Sequence, residues 1–519
     1  MLACALNGLS PAERRTLHVL AGFRLPAGME TIKALLLRRD GAEDPAKQPF
    51  AALGELLDAA LTTLEDRGLL GWDRRANRYD LHPIVRGVVW NGLGDRGHSD
   101  IYGTLQTHFE AMPMVEYWQQ VESLEDLTPA IELYHTLIGL ERYDAAYELF
   151  RDRLEKATLY RLSSSRLRVD LLERLFPDGP DALPRLSQAY DQSYALNSLA
   201  TGYVASGQPD AAIPLFEGAD EILVGEGNQE GDSVSLENLS NARRLSGGLW
   251  AAELAARAAL NIAQDQEDRF AECVSLYWLG LARAARGVPN QAAAALHRSE
   301  RLSVAQSKQQ SEGIAAAFLA ERALWQGEAA AARPLADRAR NLAAVLRYEV
   351  DFIQAARLQG SAALHLGDFD TADERLHHAL TRARAVQLVE EELPTLVALA
   401  DLRRRQGQPG QVRELLEEVW EPAKRGPYPL FHADALNILA QLERDAGNEE
   451  AAIEAATAAF RQAWCDGPPF AYHWGLEKAW QHLAALAAPE PALPPFDESK
   501  FEPVPQVEIN PPDEFGGEA

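Results

Sequence analysis

The segment LATGYVASGQPDAAIPLFEGA (residues 199–219) sets a leucine, a small residue, a glycine and an alanine at Leu199, Ala200, Gly207 and Ala212. The same set returns every 40 residues, with its glycine at Gly247, Gly287, Gly327, Gly367, Gly407 and Gly447. The leucine recurs as Leu239, Leu279, Leu319, Leu399 and Leu439, and only Gln359, beside Leu358, breaks the series. The following residue is always small: Ser240, Gly280, Ala320, Gly360, Ala400 and Ala440. Five residues after each glycine comes Ala252, Ala292, Ala332, Ala372, Val412 or Ala452.

This spacing predicts stacked helix–turn–helix units. The glycine ends a first helix in the left-handed conformation, which is cheapest without a Cβ. Small residues at two fixed offsets let paired helices approach closely, and the leucine fills the space between them. One pair cannot bury its apolar face alone, so neighbours stack into a solenoid. The pattern resembles the tetratricopeptide repeat over about 190–465, with a period of 40 rather than 34 implying longer helices.

A divergent unit is predicted upstream in LYHTLIGLERYDAAYELF (133–150), which keeps Leu133, Ala146 and Phe150 but puts Glu141 at the glycine's place. Past the last repeat, an amphipathic helix from about 470 to 487 reads as the cap. The tail, 489–519, holds eight prolines and eight acidic residues against one lysine, so no regular structure is expected. Its Phe496, Phe501, Val504, Val507, Ile509 and Phe515 suit a strap lying on the solenoid or on a partner; a plain disordered tail is the alternative.

At the front, SPAERRTLHVLAGF begins with Ser10 as N-cap, Pro11 in the first turn and Glu13 at the capping-box position. Further helices are expected at 29–39 and 50–70, the latter stopped by Gly68. Two short strands then flank a turn at Arg75–Asn77. Three helices and a hairpin form the winged-helix order. The fold class is thus all-α. A winged-helix domain (1–100) leads through linker helices with one divergent unit (101–188) to seven repeats (189–466). A cap (467–488) and an extended tail (489–519) complete the chain.

LEDRGLLGWDRRANRYDLHPIVRGVV (64–89) resembles the winged-helix segment that ends the nucleotide-binding module of STAND (NB-ARC/NACHT-like) signalling ATPases, in which a superhelical sensor follows. In that family a Met-His-Asp motif sits where the hairpin meets the next helix, and its histidine touches the nucleotide. Leu81-His82-Pro83 falls there, so the resemblance implies a nucleotide-switch role for His82. Pro83 departs from the family's aspartate. No G-x-x-x-x-G-K-[S/T] loop occurs, so the nucleotide would have to come from a nucleotide-binding domain in missing or partner sequence. The other reading of His82 is a residue that starts a helix by bonding nearby backbone.

The charge of −27 disfavours non-specific nucleic-acid and anionic-membrane binding. The third helix carries Glu55, Asp58, Glu65 and Asp66 against Arg67, a poor reader of DNA, although Arg74, Arg75, Arg78 and Arg86 gather near the hairpin. Cys4, Cys273 and Cys465 have no metal spacing, and no apolar run is long enough for a membrane span, so a cytoplasmic location is expected. No catalytic, metal or cofactor motif is found, and His377-His378 points two rings to different helix faces. The chain is expected not to be an enzyme.

Binding remains. In tetratricopeptide arrays the first helices line a concave groove. The family's groove-facing offsets, 13, 10, 6, 3 and 2 before the glycine, pick out Tyr194, Asn197, Asn241, Arg244, Tyr277 and Trp325, then Arg357, Arg404, Asn437 and Arg444. Glu321, His365, Asp401 and Arg405 fall at the same offsets. Arginine forks among aromatics suit a carboxylate-bearing or extended peptide; arginines paired with carboxylates on adjacent helices are the plainer meaning. The expected function is a protein- or peptide-recognition sensor or scaffold of a STAND-type signalling system, with a role in bacterial defence among its settings. The alternatives are a winged-helix transcription regulator and a plain assembly adaptor.

Overall fold

The computed structural model describes residues 5–36, 50–227, 229–500, 503 and 509. The end of the expected second helix, 37–39, lies outside them, as do Cys4 and Phe501, Val504, Val507 and Phe515 of the tail. The chain divides into two compact units, Met1–Ala157 and Thr158–Ala519, with the boundary inside the segment expected as linker helices.

The first unit opens with α1 (Pro11–Gly22), held by the capping box: Glu13 N–H donates to Ser10 Oγ at 3.3 Å, and Ser10 N–H to Glu13 Oε2 at 2.7 Å. Then come β1 (Ala27–Gly28), α2 (Met29–Leu36), α3 (Phe50–Asp66), β2 (Gly71–Asp73), β3 (Arg78–Asp80), α4 (Pro83–Asn91) and α5 (Gly94–Glu110). The hairpin is where the spacing put it, but it carries a third strand. β1 pairs antiparallel with β3, Ala27 opposite Tyr79, giving the order β1-β3-β2. Two residues are too few to show alternation, so the sequence held no signal for β1.

The divergent unit follows as α6 (Thr128–Gly139) and α7 (Tyr143–Leu149), with Glu141 in the left-handed turn at φ +57°. Leu133, Ala146 and Phe150 are buried between the helices. Glu132, almost wholly buried, accepts the backbone N–H groups of Arg24 and Leu25 at 3.1 and 2.6 Å.

In the second unit, α8 (Ser165–Leu172) precedes seven helix pairs. They are α9 (Ala189–Ala205) with α10 (Pro209–Glu226), α11 (Gln229–Leu245) with α12 (Leu249–Asp265), and α13 (Arg269–Ala285) with α14 (Pro289–Ala305). Next come α15 (Gln309–Trp325) with α16 (Ala329–Leu346) and α17 (Glu349–His365) with α18 (Phe369–Val386). The last two are α19 (Val389–Arg405) with α20 (Pro409–Arg425) and α21 (Pro429–Asp445) with α22 (Glu449–Trp464). The cap is α23 (His473–Ala485). All seven turn glycines have φ between +71° and +94°. The alanine or valine after each turn is 0% exposed, so both small-residue offsets sit where the helices of a pair touch.

Successive turns of this superhelix rest on one another. A Cβ on Gly207 would meet Val389 Cγ2 at 2.9 Å, one on Gly247 would meet Pro429 Cγ at 2.6 Å, and one on Gly287 would meet His473 Cγ at 2.4 Å. Each of these three turns therefore abuts the start of the first helix five repeats on, the cap helix serving as the last. Polar contacts run along the same seam: Tyr428 Oη donates to Val204 O at 3.4 Å, and Trp250 N–H to Asp466 Oδ2 at 2.9 Å. Leu249 and Ala285 share one apolar cluster with Leu430, Ala433, Ala463 and Tyr472.

The tail begins as an ordered strap. Trp464 Nε1 donates to Pro494 O at 2.9 Å, Leu493 packs on the last pair, and the Phe470 and Phe496 rings lie 4.9 Å apart. Further on, Ile509 packs against the cluster that includes Ala256 and Cys273.

Candidate functional site

Because the first helices face the superhelix axis, their inner faces enclose a cavity of about 700 Å³, within the range of small-molecule sites. The residue six before each glycine lines it in all seven repeats, from Thr201 through Glu321 to Gln441. Thr158–Arg168 and the cap's Lys478 and His482 complete the wall.

Of the ten groove candidates, Asn241, Arg244, Trp325, Arg357, Arg404 and Asn437 line this cavity, as do Glu321, His365, Asp401 and Arg405. The other four do not. Only the second half of α9 reaches the wall, which leaves Tyr194 and Asn197 off it; Asn197 Oδ1 instead accepts from Asn238 Nδ2 at 3.1 Å. Tyr277 is 7% exposed and packs edge-on against Phe318, while the next residue, Trp278, turns to the wall. Arg444 Nη1 sits 3.0 Å from His482 Nδ1, behind the histidine that lines the cavity.

The offsets also missed residues. Asp351, Glu390 and Glu391 stand 16 or 17 before their glycines, a helical turn beyond the family's list, and Tyr472, Lys478 and His482 come from outside the repeats. Extending the inner stripe by one turn would have found the carboxylates in VEEELP (389–394).

The arginines are largely spoken for, as the plainer meaning required. Arg357, 6% exposed, donates from Nη2 to Glu321 Oε2 at 2.8 Å and from Nε to Glu391 Oε2 at 2.6 Å. Arg404 Nη2 and Arg405 Nε share Asp401 at 2.8 and 2.9 Å. Arg244 donates to Asn241 Oδ1 at 2.7 Å and feels Glu390, Glu321 and Glu391. Burial, reinforced by Glu391, pushes the Glu390 carboxyl up to about 7 against the pull of Arg244. Burial likewise lifts Asp351 to about 7, opposed by its hydrogen bond from Gln310. His482 is driven down to about 4 by burial and then by Arg444, so its ring is neutral at pH 7.

Elsewhere, His82 is exposed at the N-cap of α4, where its Nδ1 accepts the Ile84 N–H at 3.3 Å. Near the hairpin, Arg74 faces Glu65 at 3.8 Å, Arg78 faces Glu125 at 3.2 Å, and Arg86 pairs with Asp80. Carboxylates thus hold three of the four arginines a DNA reading would use. Among the described residues, no group of three or more His, Cys, Asp or Glu could hold a metal ion, and no helix is long and apolar enough to cross a membrane.

No family model and no curated protein matches the chain. Solved structures do. A STAND protein with a tetratricopeptide repeat sensor from Pyrococcus horikoshii matches 92% of this chain at 15% identity, with a TM-score of 0.41. The match spans 65% of that protein's length. A Rap protein complexed with competence and sporulation factor matches 75% of the chain and 94% of its own at 12% identity, with a TM-score of 0.46. The yeast Tom70 matches 83% of the chain and 92% of its own at 14% identity and 0.35. The fold is a tetratricopeptide-like helical solenoid. At these identities the likeness concerns the fold alone.

Proposed function

We propose that the chain is a non-enzymatic recognition module whose solenoid holds its ligand, a small molecule or the end of a peptide, in the cavity on the superhelix axis. The observation that carries this is the cavity itself: about 700 Å³, with a polar or charged side chain six residues before the glycine in every repeat except that of Leu281, and aromatic wall from Trp278, Phe318 and Trp325. Packing alone would have filled these positions with alanine and leucine, as it does on the opposite face of the same helices.

The finer reading is that of a STAND-type sensor region. Its support is the element order of the first unit, helix, strand, two helices and a hairpin, which is that of a winged helix. On this reading His82, at the start of α4, takes the place of the family's nucleotide-contacting histidine. In this reading a nucleotide-binding domain, from missing or partner sequence, docks on that unit, and ligand capture in the solenoid is the input.

The test is hydrogen exchange of the full chain with and without extract of the native cell, beside an Ala398→Trp variant. Ala398 lines the cavity and belongs to no ion pair, so the indole fills the space without breaking charge pairs. Protection of α15, α17 and α19 that disappears in the variant is the expected result. Protection confined to other helices, unchanged by Ala398→Trp, would sink the cavity reading.

A further inference from the structure

The chemical class of the ligand follows from which hydrogen-bonding atoms of the wall are already used. This rests on the cavity being the binding site. Three of the wall's guanidinium groups are spent: Arg357 is clamped between Glu321 and Glu391, and Arg404 and Arg405 share Asp401. A carboxylate ligand would have to break one of these pairs and leave a charge unpaired away from bulk water, which is strongly unfavourable.

What is left over is acceptor capacity. Asn437, 4% exposed, donates from Nδ2 to Gly475 O at 2.9 Å. Only the amide nitrogen can donate to a carbonyl, so this contact fixes the side chain's orientation and leaves Oδ1, which has no partner. One turn earlier on α21, Asp434 accepts Tyr472 Oη on Oδ2 at 2.8 Å, and its Oδ1 is likewise unpartnered. Both residues line the cavity, three apart on one helix face. Buried polar atoms are rarely left unmatched, so two unpartnered acceptors one helical turn apart, on residues of the cavity wall, point to a missing donor.

Charge agrees. Around Arg244 and Arg357 stand three carboxylates, Glu321, Glu390 and Glu391. Over the whole wall six cations match six carboxylates, but within this group two cations stand against three anions, and Glu390, with Asn241 as its hydrogen-bond donor, is the group driven toward its neutral form. Glu321 also faces Asp434, which joins the two places. Lys478 lies near Asp434 and offsets part of its charge; the Nε of Arg244 is unpartnered too, but it lies in the field of Glu390, Glu321 and Glu391, which an anion would have to enter. Trp278, Phe318, Trp325 and Phe431 supply aromatic wall for a carbon body and for cation–π contact.

We propose that the cavity takes an organic cation, a protonated amine or guanidinium on an apolar body, held by the unpartnered oxygens of Asp434 and Asn437, which turn to it on binding, and balanced by the Glu390 carboxylate. A free amine of a small metabolite and the N-terminal amine of a peptide share this chemistry. The expectation from the arginines, a carboxylate-bearing ligand, is thereby reversed.

The experiment uses one aromatic body in three charge forms, tyramine, tyrosol and 4-hydroxyphenylacetate, with a short peptide bearing a free or an acetylated N-terminus. Binding to the full chain is measured by saturation-transfer NMR and calorimetry against Ala398→Trp as the blocked control. Tyramine should bind about tenfold more tightly than either partner, the loss of one charge-assisted hydrogen bond. Asp434→Asn and Glu390→Gln should each remove that preference. Calorimetry at pH 6.5 in buffers of different ionisation enthalpy should show proton release, which Glu390→Gln abolishes. Glu390→Gln introduces no buried charge, so it keeps the test readable if Asp434→Asn fails to fold. Preference of the free over the acetylated peptide, at higher affinity than tyramine, assigns a peptide source; the reverse assigns a small amine. Equal binding of all three forms, or tightest binding of the carboxylate, overturns the cation while leaving the cavity a binding site. Equal binding to the wild type and the blocked control overturns both.

Discussion

The indole nitrogen of Trp474 donates to the carbonyl oxygen of Ala284 at 2.7 Å, across 190 residues of chain. Ala284 is in the last turn of α13, where its carbonyl also accepts the Gly287 N–H at 3.2 Å, so the cap helix adds a second bond to a helix end it meets only after the superhelix has come round. Trp474→Phe should lower stability by about 1 kcal/mol through that bond alone. Urea unfolding of both proteins measures it, and an unchanged midpoint would mean the seam contact contributes nothing.

Glycine at the turns has two jobs that substitution can separate. At Gly367 nothing lies within 4 Å of an added Cβ, so Gly367→Ala meets only the left-handed backbone, at about 1 kcal/mol. At Gly287 the added methyl also runs into the His473 ring, and overpacking of this kind adds about 1–3 kcal/mol. Gly287→Ala should therefore be the more destabilising and should swell the particle in small-angle scattering, while Gly367→Ala leaves its size alone.

Arg357 holds the buried carboxylate of Glu391 and the partly exposed one of Glu321, and removing it strands both. Arg357→Met should cost about 3–5 kcal/mol, whereas the triple change with Glu321→Gln and Glu391→Gln should recover much of the loss. Thermal melts of the two variants decide it; equal melts would show that packing, not charge, accounts for the effect.

The pH dependence has a definite sign. Glu237, 4% exposed, takes a hydrogen bond from Ser275 Oγ at 2.7 Å, and burial, with a smaller push from Asp268, lifts its carboxyl to about 8. The folded state thus binds the proton more tightly than the unfolded chain. This contribution is complete below the ordinary value of 4.5 and is lost as pH rises through about 8. Glu390, Asp351 and Glu132, each lifted to about 7 mainly by burial, act in the same direction. Glu253 acts oppositely: burial works to raise it, but Arg286, Arg257 and Arg283 hold it below the usual range, so its contribution fades as pH falls through its folded value. Stability should decline from about pH 5 toward pH 8, and Glu237→Gln, which can still accept the Ser275 proton, should flatten that slope. An unaltered slope in urea midpoints across this range would contradict the assignment.

The strap should detach by a single change. Phe496→Ala removes the ring packed on Phe470. Limited proteolysis should then cut between 488 and 496 while the repeats persist, and resistance equal to the wild type would show that other contacts hold the strap.

The repeat was legible because everything that makes a pair is local. Gly207 and Ala212 are five residues apart, and the pairing of α9 with α10 that they serve lies within one 40-residue unit. Even the divergent pair was readable, since Glu141 occupies the left-handed turn that its place in the pattern demanded. The closure was not legible. Val389 meets Gly207 only after a small rotation per repeat has accumulated through five of them, and no residue type encodes that sum. The same limit governs the cavity: Asn241 and Arg357 could be placed on an inner face, but not the convergence of Arg244 with Glu390 from opposite ends of their helices. Strand β1 failed for a different reason, being a two-residue pairing completed by β3.

An open solenoid can lengthen or shorten by whole units, since each unit touches only its neighbours. Here the turn at Gly247 meets Pro429 and the turn at Gly287 meets His473, so the seam works as a tally. Excising one 40-residue unit would preserve every local pairing yet bring the wrong faces together all along the wrap. Drift in copy number, the ordinary route by which repeat proteins diversify, is closed to this chain, and its variation is confined to side chains within a fixed count.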